Sequence, residues 1–146
     1  MQNFINTERK LKVTDIAKVE KLIGRRLPTS LKAHYLEFNG GRPENYIFSK
    51  EGLELCVRGF YPMLFGNDRF EDNYQDFITE RNLIPSYLIP FADDPGGDLY
   101  CMSIEKFHEG SIWSFHWDDH DDLKEALHLL ADSLDEFLAH MQPDTE

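Results

Sequence analysis

From Thr14 onward, apolar residues recur at helical offsets: Ile16, Val19, Leu22 and Ile23 line one face. Thr14 offers an N-cap hydroxyl, Asp15 suits the positive helix end and Gly24 stops the run, which predicts a helix near 14–24. Leu31, Tyr35 and Phe38 repeat the pattern, with Pro28 in a tolerated first-turn position and Asn39, Gly40 and Gly41 at the end, predicting a helix near 28–38. The period then shortens to that of extended chain. Runs near 46–48 and 53–60, rich in aromatic and branched residues, read as strands. Pro62, Gly66 and Asn67 mark a loop, and Tyr74, Phe77 and Ile78 share the inward face of a helix near 72–82, closed off by Pro85.

Two apolar runs, Leu88 to Ala92 and Leu99 to Met102, flank Asp93-Asp94-Pro95-Gly96-Gly97-Asp98, residues that turn chains, so the segment reads as a β-hairpin with strands near 88–92 and 98–103. Ser111 to Trp117 alternates with period two and is expected as the next strand, near 111–117, of the same sheet. Ser133 and Glu136 form a capping box for a helix near 133–142 that carries Leu134, Phe137, Leu138 and Met141 on one side. Leu123 to Ala131 fits either a short helix or an edge strand, because the cap at Ser133 implies a break before it. No repeat interrupts the order, and the expectation is one domain over 1–146.

Composition narrows the class. Hydrophobic residues are 41% of the chain, too apolar a balance for a disordered tail. Against 15 Lys and Arg stand 27 Asp and Glu, a net charge of −12 that repels phosphate backbones and anionic headgroups and attracts basic partners. Direct nucleic-acid binding is therefore not expected. The two cysteines, Cys56 and Cys101, sit inside apolar runs without ligand spacing, as buried thiols in a reducing cytoplasm would. The N-terminal stretch lacks the continuous apolar segment of a signal peptide, and no run is long enough to span a membrane.

Candidate chemistry is sparse. His116, Asp118, His120 and Asp122 are the one set that could hold a metal, but the two histidines fall across a strand end and lack the glutamate of a HExxH helix, so no metal or cofactor is expected. The aspartates of the hairpin turn do not follow the spacing of a calcium loop. His34 reads as a surface or half-buried helix residue. There is no nucleophile elbow, no phosphate-cradling glycine loop with its lysine, and no cation beside either cysteine, so no catalytic residue is assigned.

What remains is an acidic surface. Asp93, Asp94 and Asp98 at the hairpin tip, the run Asp118, Asp119, Asp121 and Asp122, and the loop bearing Asp68, Glu71 and Asp72 gather into one field if successive strands return to the same sheet edge. The other reading of the tip carboxylates is that of solvated turn residues with no further task.

Several stretches resemble the SUKH superfamily, which includes yeast cell-wall synthesis regulators and bacterial immunity proteins encoded beside polymorphic toxins. They are Val19 to Gly24 leading to Leu27-Pro28, Tyr35 to Gly41, Ile89 to Ala92 with Gly96 to Cys101, Ile112 to Phe115, and Ala131 to Leu138. Two positions depart from the pattern: Ser103 stands where members often carry aspartate, and Leu134 where they often carry an aromatic. The resemblance implies an α+β fold, a mostly antiparallel sheet with helices packed around it, and a non-enzymatic role in binding and blocking a cognate toxin, often a nuclease. The acidic balance agrees, since a nucleic-acid-handling toxin presents a positive groove. The alternative within the same fold is an intracellular regulatory or scaffold module that binds another protein.

Overall fold

The computed structural model describes residues 3–106 and 108–145. β1 (Phe4–Ile5) pairs with β2 (Arg42–Pro43), and between them run α1 (Val13–Ile23) and α2 (Thr29–Glu37). The hairpin β3 (Ile47–Lys50) and β4 (Leu53–Cys56) follows, then β5 (Gly59–Phe60), and α3 (Phe70–Tyr74), which widens into a π-helical turn over Gln75–Glu80. β6 (Leu88–Asp93), β7 (Leu99–Ser103) and β8 (Ile112–Phe115) form a meander. A 3-10 turn, Trp117–Asp119, leads to α4 (Leu123–Ala126), β9 (Leu127–Ala131), α5 (Leu134–Ala139) and β10 (Met141–Gln142).

Every ladder among the described residues is antiparallel: β1-β2, β10-β3-β4, and the five-stranded β5-β6-β7-β8-β9. The architecture is α+β, as expected.

The boundaries depart from the sequence reading in instructive ways. The N-cap of α1 is Lys12, not Thr14; the Asp15 carboxylate reaches back to accept the Lys12 N–H at 2.8 Å, half of a capping box. Gly24 ends the helix as expected, at φ +73°. The expected strand 53–60 is two strands in different sheets, because Val57 and Arg58 carry the chain from the β10-β3-β4 layer to the edge of the five-stranded sheet. Leu123 to Ala131 is both of the alternatives in succession, one helical turn and then the outer strand β9. The expected helix 133–142 stops at Ala139, and Met141 joins β3. Strand β8 ends at Phe115, since Trp117 turns out of the ladder.

One aromatic chain ties the layers together. Phe4 of β1 meets Phe60 of β5 edge-on at 5.0 Å, Phe60 meets Phe91 of β6 at 5.0 Å, Phe91 meets Phe137 of α5 at 6.3 Å, and Phe137 stacks on Phe48 of β3 at 5.1 Å. Such contacts add about 0.5–1.5 kcal/mol each beyond area burial. From α2, fully buried Tyr35 donates its hydroxyl to the Tyr61 carbonyl at 2.7 Å. Below α2, the Asn39 side chain is bound on both sides: its amide donates to Arg9 O and Met63 O, and its oxygen accepts the Met63 N–H at 2.7 Å. Gly40 follows at φ +74°, where a Cβ would strike Pro62.

Candidate functional site: one end of the five-stranded sheet

The register decides which loops meet. Asp93 stands opposite both Gly59 and Leu99, Leu99 opposite Phe115, and Phe115 opposite Leu127. The start of β5, the β6–β7 turn and the β8–β9 connection therefore lie at one end of the sheet.

The β6–β7 turn is built by Asp94, whose Oδ1 accepts the N–H groups of Gly96 and Asp98, both at 2.9 Å. Gly97 adopts φ +96° and donates to the Asp94 carbonyl. Asp98 then ties this turn to the neighbouring connection. One of its oxygens accepts the Trp117 N–H at 3.1 Å, and the other pairs with His116 Nδ1 at 3.1 Å. The Trp117 indole donates to Gly97 O at 2.8 Å, and its ring meets Phe115 at 5.0 Å and Phe77 at 5.4 Å. So the run that follows Trp117 starts from a fixed point.

Asp93 and Glu71 do not belong to the exposed field. Asp93 is turned inward and held by Arg58, Nε at 2.6 Å and Nη2 at 3.0 Å, and by the Tyr61 hydroxyl at 3.1 Å. Burial pushes its carboxyl up, with Arg58 and Tyr61 pulling the other way. Glu71 is buried on α3 and accepts the Leu64 N–H at 3.0 Å; burial holds its carboxyl above the usual range. Both residues were expected on a binding surface because charge in a loop-like stretch usually faces water. Their alternative use, sealing loop N–H groups and a half-exposed arginine, leaves no mark in local sequence.

The others divide. Asp68 is exposed but paired with Arg58 Nη2 at 3.1 Å, so Arg58 bridges it to Asp93. Asp72 stands exposed on α3. Asp94 and Asp98 are half-buried and spent on the turn. Asp118, Asp119, Asp121 and Asp122 are exposed, and among the described residues none of the four makes an ion pair. Asp122 also caps α4 by accepting the Lys124 N–H.

His116 sits between Asp98 and Ser114, whose Oγ lies 3.0 Å from its Nε2, and its ring meets His128 at 4.8 Å. The order Ser114, His116, Asp98 is that of a proton relay. Yet Ser114 is 3% exposed in mid-strand, with Tyr100 and His128 opposite it in the ladders. The contacts orient His116 and do not present a hydroxyl to solvent. His120 instead pairs with the Trp117 carbonyl, and among the described residues no group of three or more His, Cys, Asp or Glu side chains converges as a metal site. Burial pushes the Cys56 and Cys101 thiols up, away from thiolate. Among the described residues no helix is long and apolar enough to cross a membrane.

Sequence reasoning missed Arg58, His116 and Trp117 as organisers of this end. A weak signal existed for Arg58, a lone cation breaking an apolar run. Trp117 gave none, since its alternation with Phe115 looked like more strand.

The fold and this end of the sheet define an antiparallel α+β domain with exposed carboxylates gathered on the connection after β8. The chain belongs to the SMI1 / KNR4 family (SUKH-1), whose sequence profile matches residues 10–140. Comparison with curated proteins finds no match.

Proposed function

We propose that this protein is an immunity protein: it binds a cognate, basic toxin of the nuclease type through the acidic end of its sheet and blocks it, with no bond-making chemistry of its own. The observation that carries this reading is the cluster Asp118, Asp119, Asp121 and Asp122, exposed, free of ion pairs among the described residues, and anchored through Asp98 to Trp117. Membership of the SUKH-1 family supports a role in protein–protein interaction. Unpaired carboxylates on a preorganised connection raise the encounter rate with a positive groove and cost little reorganisation on docking. A reducing cytoplasm suits its two free cysteines.

The test is co-expression with the product of the neighbouring reading frame, followed by kinetic binding measurements across ionic strength. Rescue of growth, together with an association rate that falls about tenfold or more in the Asp118→Asn, Asp119→Asn, Asp121→Asn, Asp122→Asn variant, is the expected result. Binding indifferent both to salt and to these substitutions overturns the acidic-surface reading.

A further inference from the structure

The two outer strands of the five-stranded sheet differ in how they are covered. On the β5 side, Gly41 bridges to Phe60 and brings the β1-β2 ribbon against the edge. On the other side, among the described residues, β9 has β8 as its one neighbour in the sheet.

The register of β9 shows which main-chain groups stay open. His116 donates its N–H to Ala126 O at 2.9 Å, and two residues on, Ser114 stands opposite His128. In an antiparallel ladder that alternation sends the N–H and C=O of His128 toward β8 and those of Leu127 and Leu129 outward. The Leu127 N–H already closes α4 on Leu123 O. Its carbonyl and both main-chain groups of Leu129 face the open side.

Edges of this kind are normally blunted by a bulge, a lysine or a proline. β9 has the first two at its far end alone. The register shifts opposite Leu130, whose carbonyl accepts Lys50 Nζ at 3.2 Å. Leu127 to Leu129 carries neither device. The Leu129 side chain is 49% exposed and stands directly opposite half-buried Trp113, which makes a short apolar strip on the same face. Leu123, just before the strand, is 42% exposed.

Charge selects what can cover this edge. Exposed Asp118, Asp119, Asp121, Asp122 and Glu125 precede the strand, and exposed Asp132 and Asp135 follow it. A second copy pairing here would set these carboxylates against their own kind, on a chain whose net charge is already −12. A segment with apolar residues in its middle and Lys or Arg at its ends meets Leu129 and an excess of carboxylates, seven against Lys124 and Lys50, the latter already paired with Glu136.

We propose that β9 is a docking edge: an extended, basic segment of a different protein adds as a sixth strand beside Leu127 to Leu129, with an apolar side chain against Leu129 and Trp113 and its cations against the flanking carboxylates. This rests on the reading that the partner is a basic protein, and it names the surface that takes it.

The probes are labelled peptides of about ten residues that alternate Val and Thr, flanked at both ends by Lys in one and by Glu in the other. Fluorescence polarisation is expected to show binding of the Lys-flanked peptide and none of the Glu-flanked one. Leu129→Pro removes an outward N–H without taking a ladder bond, and is expected to weaken the Lys-flanked peptide about tenfold or more. If that variant loses its native circular dichroism, Leu129→Lys keeps the backbone donor, sets like charge against the peptide and is expected to lose binding as well.

Equal binding of both peptides, or undiminished binding by the Leu129 variants, overturns the inference. So does a wild-type dimer in sedimentation that Leu129→Lys dissolves, since the edge then serves a second copy. The peptide arm needs no toxin: peptide binding without a basic cognate partner leaves the docking edge and removes the immunity reading. A toxin held equally by wild type and by the Leu129 variants does the reverse.

Discussion

Asp98 accepts the backbone N–H of Trp117 at 3.1 Å, so a carboxylate from the β6–β7 turn fixes where the acidic connection after β8 begins. The two loops are nineteen residues apart in sequence and act as one unit. Asp98→Ala leaves that N–H and the His116 imidazole without their acceptor and is expected to cost about 1–2 kcal/mol. Asp98→Asn keeps an acceptor for Trp117 and is expected to lose less. Urea denaturation of the two variants checks the difference, and backbone amide exchange at Trp117 should quicken in the alanine variant alone.

Arg58 and Asp93 make a second such tie, deeper in the sheet. Arg58→Met strands a buried carboxylate with the Tyr61 hydroxyl as its remaining side-chain donor, for an expected loss of roughly 1–3 kcal/mol, moderated because the guanidinium is half exposed. Asp93→Asn in the Arg58→Met background is expected to recover part of that loss. A double-mutant cycle by chemical denaturation reads the coupling, and strict additivity of the two substitutions would count against it.

His34 is expected to make folding acid-sensitive. It lies among Phe4, Phe38 and Phe60, with ring centroids at 4.8, 5.8 and 5.1 Å, and burial lowers its imidazole from the usual 6.5 to about 4. Between those values the unfolded chain takes the proton more readily than the folded one. Stability therefore falls as pH drops through this window, by up to about 3 kcal/mol from this group. His34→Phe is expected to flatten that part of the profile, measured as denaturation midpoints above, within and below the window.

Glu71 acts with the opposite sign. Burial raises its folded-state pKa, so its contribution is full below the unfolded value and lost as pH rises through the folded one. Glu71→Gln keeps an acceptor for the Leu64 N–H and removes the charge; it is expected to be more stable than wild type at neutral pH and to lose this pH dependence. Glu71→Ala leaves the N–H unpaired, for an expected loss of about 1–3 kcal/mol. Thermal unfolding of both variants across pH separates the two effects.

Local pattern alone determined most of the elements. The face Ile16, Val19 and Ile23 and the stop at Gly24 made α1 legible, the Ser133 cap made α5 legible, and the turn residues between Asp93 and Asp98 marked the β6–β7 hairpin. Each depends on neighbours within a few residues, where propensity, capping and turn chemistry act directly. The SUKH resemblance was carried by the order of such pieces, and the family match over residues 10–140 agrees with it.

Tertiary structure alone decided the rest. Nothing near Arg58 says that its chain leaves one sheet for another, and nothing near Asp93 or Glu71 says that they turn inward while Asp118 and Asp119 stay in water. Those outcomes depend on groups far away in sequence: Arg58 for Asp93, the Asp98 carboxylate for the Trp117 N–H, and, among the described residues, the lack of a strand beyond β9. A carboxylate is equally at home in a loop whether solvated or bound. Which one it becomes is set by the donor that register brings within hydrogen-bonding distance, and register is a property of the assembled sheet.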